Sequence, residues 1–360
     1  MEKLKAIGHS IRANTRAAVR FALGFGILLP ITLVGSLIQA YIVGPLTGNY
    51  TTFPRFVYNQ ARRAFGVQVG FKGAALDTGK RVWYAPNHLS TFDFLTVGHK
   101  MPTSFVMKGD ILTWPVISTM AKAARLIGVH RSQSIRKLLN EDGAEKTPEQ
   151  MKADRELAKK KFAQDMGLIM ETFNRGENLT TFFEGTTTRG EEVLRFSSGF
   201  LSALFNAKGL DKKGNEVTLK EKVYVQPLAM RVKSVDGKNV SRDRSKLKKS
   251  WDPYTMYDEN NILKRMWKRA KYGKIVLEVT VFDPLDPADF NDHHELANKA
   301  QELVTSVIAP KQQSARKPAE YIAEQIAIQE AAAKKKPAVQ KKPAVKKPAK
   351  ASGTKPAPAV

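Results

Sequence analysis

The chain has 360 residues, 42% of them hydrophobic, and that share excludes disorder of the whole chain. It contains no cysteine, which rules out a thiol nucleophile, a disulfide framework and any thiolate-ligated metal centre, so catalysis must rest on oxygen and nitrogen groups. A formal net charge of +25 at pH 7 points to a polyanionic partner, either nucleic acid or an anionic lipid surface.

Residues 1–20 form a basic flank carrying Lys3, Lys5, Arg12, Arg16 and Arg20. The 26 residues from Phe21 to Leu46 carry no charge. As a helix they would extend about 39 Å, enough to cross a bilayer. The sequence that follows is basic again, with Arg55, Arg62, Arg63 and Lys72, and one crossing would place two basic flanks on opposite faces. Pro30 and Gly35 suggest a re-entrant alternative, in which two short helices dip into one leaflet and return. Residues 21–46 are therefore read as a membrane anchor, re-entrant or spanning, with the remainder on the cytoplasmic face of a cell inner membrane.

From residue 47 to residue 310 the pattern is that of one α/β domain, a mixed central sheet flanked by helices. An amphipathic helix is expected over Phe53 to Phe65. Strands are expected at Val67 to Phe71, Val82 to Ala85, Ser104 to Met107, Leu179 to Phe183, Val223 to Pro227 and Ile275 to Phe282. A charge-dense insertion between Leu138 and Lys161 reads as a loop entering an exposed helix, with no chemistry of its own. The segment Asn260 to Lys271 mixes aromatic and basic residues, and reads as a helix on the lipid surface with Trp267 at the interface, or as a docked helix with a solvated basic face. Residues 311–333 are expected to be a helical linker. The final stretch, 334–360, holds nine lysines and no acid among Lys-Pro-Ala units and reads as a disordered tail. A positive excess survives its removal, and lipid phosphate is preferred to nucleic acid as the partner of that surface.

Two segments carry candidate chemistry. In YAPNHLSTFD an apolar strand runs into Asn87 and His88, with Asp93 five residues after the histidine. A carboxylate beside an imidazole fixes its tautomer and stabilises the imidazolium, the requirement for a general base. In LTTFFEGTTTRG a second strand ends at Glu184, Gly185, Thr186 and Thr187, a turn able to present N–H groups to a phosphate. Glu184 is a candidate for orienting acceptor hydroxyls or holding a neighbouring cation. The run Asp292, His293, His294, Glu295 is read as a helix N-terminus, because adjacent histidines on a helix diverge; no metal is implied.

Taken together and in this order, the two segments resemble the glycerolipid acyltransferase family, whose hallmarks are an HxxxxD motif followed by a strand bearing a FPEGT-like sequence. SFVMKGDILTWPVISTMAKAARLIGVHR is similar to the family's connecting region, with its Gly-apolar-x-Arg block at Gly128 to Arg131. VYVQPLAM resembles its late Val-x-Pro strand, and SWDPYTMYDENNILKRMWKRAKYGKIVLEVTVFDPL the distal region of bacterial members. The likeness covers roughly residues 82–284. It departs where the family's Pro is Phe183 and its common Arg is Thr187; Gly-Thr-Thr variants occur in members acting on lysophospholipids and on lyso-ornithine lipids.

The resemblance implies a transfer of a fatty acyl group from acyl-CoA or acyl carrier protein to the hydroxyl of a lysolipid, with no cofactor. His88 would act as general base and Asp93 would orient it. Lys108 would stabilise the oxyanion, and Arg131 with Asn87 and the Glu184 to Thr187 turn would bind the acceptor. The most direct acceptor is 1-acyl-sn-glycerol-3-phosphate, the alternative lyso-ornithine lipid. A rival of another class is a non-enzymatic membrane adaptor with a polyanion-binding tail, which leaves both motifs unused. A lipid hydrolase would need a Ser nucleophile elbow or metal ligands, and the sequence has no Gly-x-Ser-x-Gly pentapeptide.

Overall fold

A computed structural model describes residues 2–76, 79–113, 115–130, 146–241, 254–255 and 262–334. Arg131, Trp114, the first part of the charged insertion and the Lys-Pro-Ala tail beyond Lys334 lie outside the described residues. In chain order the helices are α1 (Glu2–Phe21), α2 (Leu29–Ile38), α3 (Gly44–Thr47), α4 (Thr52–Ala64), α5 (Asp93–Gly98), α6 (Pro115–Ala123), α7 (Pro148–Asn174), α8 (Ile262–Ala270), α9 (His293–Ile308) and α10 (Pro318–Lys334). The strands are β1 (Val67–Gly73), β2 (Arg81–Pro86), β3 (Thr103–Lys108), β4 (Ile127–Val129), β5 (Asn178–Thr180), β6 (Gly209–Leu210), β7 (Glu216–Val217), β8 (Val223–Val235), β9 (Lys238–Asn239) and β10 (Ile275–Val281). Two compact units are present, residues 1–319 and 320–360. The second contributes the helix that ends at Lys334.

The main sheet has the order β1-β10-β8-β2-β5-β3-β4, with β9 paired to β8. Strands β8, β2, β5, β3 and β4 are mutually parallel, and β10 and β1 run the other way. Alternation assigns the two faces. Val82 and Tyr84 of β2, Met230 of β8 and Ile275, Leu277, Val279 and Val281 of β10 pack with Ala17, Tyr58, Phe65 and Val97 of the α1, α4 and α5 side. Trp83, Ala85, Val223 and Val225 pack with Ile169 and Phe173 of α7 and Leu296, Ala300 and Val304 of α9. A bulge between Val276 and Leu277 changes the register of β8 against β10, which is why Met230, Val232 and Val235 all reach one core despite their odd and even numbers.

The expectation that Pro30 and Gly35 split the apolar segment is not met. The chain is helical without interruption from α1 to α3, with π-helical stretches at Ala22–Leu28 and Gln39–Val43. Each stretch lies just before a proline, Pro30 or Pro45. A proline lacks an N–H and crowds the carbonyl four residues back, and local widening to a π-helix absorbs both faults without a break. Gly35 has a packing role instead: a Cβ there would sit 2.1 Å from Cζ of Phe53, so α4 lies directly against this helix. Gly48, at φ +69, ends the helix and the chain turns back into α4.

The segment from Ile7 to Thr47 is long and apolar enough to cross a membrane. It is also tied to the domain at both ends. Arg16 donates to Lys271 O at 2.8 Å, and Arg20 donates to Ala270 O at 3.1 Å and Gly273 O at 2.7 Å. Phe21 meets Trp267 edge-on at 5.1 Å, so Trp267 is partly covered by this helix. At the other end Ala40 and Tyr41 line a groove of about 670 Å³ with Leu112, Ala121, Arg125 and Leu168. Between these ties Leu23, Ile27, Ile31, Val34 and Leu37 are exposed, and so are Ile42 and Leu46 just beyond them.

The charged insertion enters α7 as expected. Thr147 and Gln150 form a reciprocal capping box around Pro148, and only the second half of the helix, from Asp165 to Phe173, is buried.

Candidate active site

Because β2, β5, β3 and β4 are parallel, their C-terminal ends share one edge of the sheet, the edge where α/β folds hold their ligands. His88 follows β2, Glu184 follows β5, Lys108 ends β3 and His130 follows β4.

Pro86 ends β2. Asn87 replaces the ladder beyond it with its side chain: Nδ2 donates to Met230 O at 3.1 Å and Oδ1 accepts from Met230 N at 2.6 Å. Asn87 is thus buried and staples the end of β2 to β8. The next residue, His88, donates its backbone N–H to Glu184 Oε1 at 2.6 Å and accepts from Thr188 N at 2.8 Å through its carbonyl. Its main chain is clamped by both ends of the turn that follows β5.

The five-residue spacing to Asp93 has a local cause. The chain leaves the strand at His88, turns through Ser90 to Phe92, and begins α5 at Asp93, whose N–H donates to Ser90 O at 3.0 Å. The Asp93 side chain folds back over this turn. Its Oδ2 lies 2.8 Å from His88 Nδ1 and accepts the N–H groups of Leu89 at 2.6 Å and Ser90 at 2.9 Å. Oδ1 accepts from Tyr254 OH at 2.8 Å. Since an ionised carboxylate only accepts, the proton on the ring sits at Nδ1 and the lone pair is left on Nε2. The ring stacks on Phe182 with centroids 4.1 Å apart, and its side chain keeps 20% exposure while Asp93 has none. An oriented, partly exposed imidazole with a fixed tautomer is what general-base catalysis requires.

Glu184 is fully buried, with Oε1 on His88 N and Oε2 accepting from Leu194 N at 2.9 Å. Burial pushes its carboxyl up to about 8, against the pull of the Leu194 and His88 amides. A carboxyl raised in the fold adds stability that is complete below its ordinary value of 4.5 and is lost as pH climbs toward about 8. The melting temperature should therefore fall across that window in scanning calorimetry, and Glu184→Gln should flatten the slope at the cost of a lower plateau, because an amide NH2 would face a backbone donor. An unchanged slope in the variant would assign the dependence elsewhere.

Gly185, at φ +66, is exposed, and no atom lies within 4 Å of where a Cβ would stand, so backbone conformation alone calls for glycine here. Thr186 and Thr187 are half-buried beside it. Lys108 stands two strands from β2, about 10 Å by strand spacing. Its ammonium pairs with exposed Asp110. The structure thus brings His88, Asp93, Asn87 and Glu184 into one bonded cluster, sets the 185–187 turn beside it and leaves Lys108 apart from it on the same edge.

Two further residues carry no sequence signal. His130 donates its backbone N–H to Asp165 Oδ2 at 2.7 Å, with its Nδ1 3.1 Å from Oδ1; the partners are 35 residues apart. Tyr254 is fully buried under Asp93 from a distant segment. Asp292 caps α9 by accepting from His294 N at 2.7 Å and Glu295 N at 2.8 Å, which accounts for that acidic and histidine run. Among the described residues no group of metal-ligating side chains is assembled.

The family described as Acyltransferase matches residues 68–231, a span that contains both the His88–Asp93 dyad and the Glu184 turn. These residues form an acyltransferase-family domain, and the chain that carries it is an acyltransferase. A 1-acyl-sn-glycerol-3-phosphate acyltransferase of Neisseria gonorrhoeae is 22% identical over 244 residues, 68% of this chain and 75% of that one. A lyso-ornithine lipid O-acyltransferase of Pseudomonas aeruginosa is 23% identical over 223 residues, covering 62% and 66%. A lyso-ornithine lipid O-acyltransferase of Brucella abortus is 26% identical over 257 residues, covering 71% and 81%. The relatives thus include enzymes named for a 1-acyl-sn-glycerol-3-phosphate acceptor and enzymes named for a lyso-ornithine lipid acceptor, at similar identity to this chain. The crystal structure of the 1-acyl-sn-glycerophosphate acyltransferase PlsC from Thermotoga maritima aligns with 87% of this chain and all of that one, at a TM-score of 0.45 and 15% identity, too slight a likeness to transfer any feature.

Proposed function

We propose that the protein is a membrane-bound O-acyltransferase that moves a fatty acyl group from the thioester of acyl-CoA or acyl carrier protein to the free hydroxyl of a lysolipid. Its acceptor is 1-acyl-sn-glycerol-3-phosphate, and the product phosphatidate. The observation that carries this reading is the His88 ring, held by Asp93 with Nε2 available at the C-terminal edge of the sheet. Nε2 takes the hydroxyl proton as the oxygen attacks the thioester carbonyl. The tetrahedral intermediate collapses, the carbon–sulfur bond breaks, and the departing thiolate recovers the proton from the imidazolium. Asp93 stabilises that imidazolium.

The other candidate residues divide by burial. Asn87, through its staple to Met230, and Glu184, through the backbone N–H of His88, act as positioning residues. Exposed Gly185 and half-buried Thr186 and Thr187 are the parts of this turn that would meet the acceptor's head, together with Arg131 on the family resemblance. Lys108, two strands off, is better placed for the far side of that head than for the reacting carbonyl. Lyso-ornithine lipid is the second acceptor, favoured by Thr187, which puts a neutral hydroxyl where an arginine would pair with phosphate. The test is acyl transfer by the purified full chain from labelled acyl-CoA and acyl carrier protein, with lysophosphatidate and lyso-ornithine lipid offered separately. Product with either acceptor supports the reading and names the acceptor; no product with any pairing sinks it.

The membrane attachment is read from the outward apolar row between the two ties of the long helix. A helix anchored to the same domain near Arg16 and near Tyr41 lies along one leaflet, its basic flank and the domain on one face. Since the chain has no cysteine, each introduced thiol is unique. Gly8→Cys and Lys212→Cys should both react with a membrane-impermeant maleimide from the same side of sealed vesicles. Labelling from opposite sides would mean that the helix crosses.

A further inference from the structure

The segment around Tyr254 has no part in the chemistry described so far, yet its tyrosine is fully buried against the dyad. Its hydroxyl lies 2.8 Å from Asp93 Oδ1 and 2.5 Å from Thr96 Oγ1. The bond directions follow from inventory. A carboxylate has no proton to give and a phenol has one, so Tyr254 donates to Asp93 and Thr96 donates to Tyr254. Thr96 is three residues beyond Asp93 in α5, one turn along the same face. Three donors crowd Oδ2 of Asp93, namely His88 Nδ1 and the N–H groups of Leu89 and Ser90. The tyrosine serves the other oxygen. With both oxygens engaged, the carboxylate plane is fixed, and through it the plane of the His88 ring.

We propose that Tyr254 is the third member of this constellation, a positioning residue whose hydroxyl holds the Asp93 carboxylate oriented behind His88. This rests on His88 being the general base. Burial keeps the phenol of Tyr254 protonated, so it remains a donor throughout the working range of the enzyme. Among the described residues the charged groups nearby are Asp93 itself, Glu184 under the His88 backbone, and on α8 the buried Arg269, whose Nη2 donates to Phe65 O, and Arg265, whose Nη1 reaches Thr91 Oγ1 at 3.3 Å. None of them takes the place of the tyrosine hydroxyl at Oδ1, the oxygen on which the proposal turns.

Tyr254→Phe keeps the ring and removes the hydroxyl. A carboxylate with one donor fewer binds the imidazolium proton more tightly, so the His88 ring should titrate at higher pH than in the unaltered chain, read by NMR of carbon-13-labelled histidine. The rate constant kcat should fall about tenfold, the usual weight of one hydrogen bond to a charged group. KM for donor and acceptor should stay as it was, which a merely structural loss would not guarantee. Thr96→Val should move both readings the same way by less, and it stands in if Tyr254→Phe does not fold. If the folded variant leaves kcat and the His88 titration unchanged, the proposal is overturned. The NMR titration needs no substrate, so failure of the transfer assay and failure of this inference remain distinguishable.

Discussion

His88→Ala is expected to lower kcat for acyl transfer by roughly 10²- to 10⁴-fold, the range of general-base assistance, while the melting temperature stays near that of the unaltered protein. No other member of the bonded cluster is placed to take the proton: Asp93 is fully buried, its oxygens facing Leu89, Ser90 and Tyr254. Asn87 is an amide committed to Met230, and both oxygens of Glu184 face backbone N–H groups. The fold should tolerate the change because the main chain of His88, which carries the bonds to Glu184 and Thr188, is retained. Only the stacking on Phe182 and one donor to Asp93 are lost, and Leu89, Ser90 and Tyr254 still hold that carboxylate. Transfer at the normal rate by purified His88→Ala protein would remove the dyad from the mechanism.

Asp93→Asn is expected to cut kcat at least as deeply as a missing base and, unlike His88→Ala, to lower stability by about 1–3 kcal/mol. An asparagine has one acceptor oxygen where Asp93 meets four donors on two oxygens. One orientation of its amide sets NH2 against two backbone N–H groups and the ring; the cheaper one sets it against the tyrosine hydroxyl, which must then turn away. In either case a neutral amide cannot stabilise the imidazolium, and a ring free to change tautomer can present the wrong nitrogen. Steady-state kinetics beside chemical denaturation separate the pair: His88→Ala loses catalysis alone, Asp93→Asn loses catalysis and stability together. A variant that keeps kcat would show that the carboxylate is scaffold only.

Much of this arrangement is legible in the chain, for reasons that differ from residue to residue. The strand ends before His88 and Glu184 announce themselves by buried apolar runs meeting polar residues, and α4 and α8 by their amphipathic period. Strand β4 does not, since three residues carry no readable alternation. Strand β8 reads as ending at Pro227 yet runs to Val235 between β2 and β10. A proline suggests a strand's end because it has no donor for the ladder, and only the neighbouring strands reveal that the ladder goes on. Glu184 shows the deeper limit. A carboxylate after a strand looks like a group for a ligand; its inward turn is decided by the amides of His88 and Leu194, 96 residues before it and 10 after. Tyr254 is hidden for the same reason, its partner being 161 residues away. Spacing rules find chemistry that is local in sequence, and the second layer around this site is assembled across the fold.

The clamp on His88 has one more consequence. The residues that hold its backbone, Glu184 and Thr188, bracket Gly185, Thr186 and Thr187 without including them. Under the proposed function, the work of setting the base and the work of meeting an acceptor would fall to different members of one five-residue stretch. A substitution among the inner three would then leave the bonds of the outer two to His88 in place, so a change of lipid acceptor would need no redesign of the frame around the base. On that reading acceptor preference would be an interchangeable cassette, open to change in steps of a single residue.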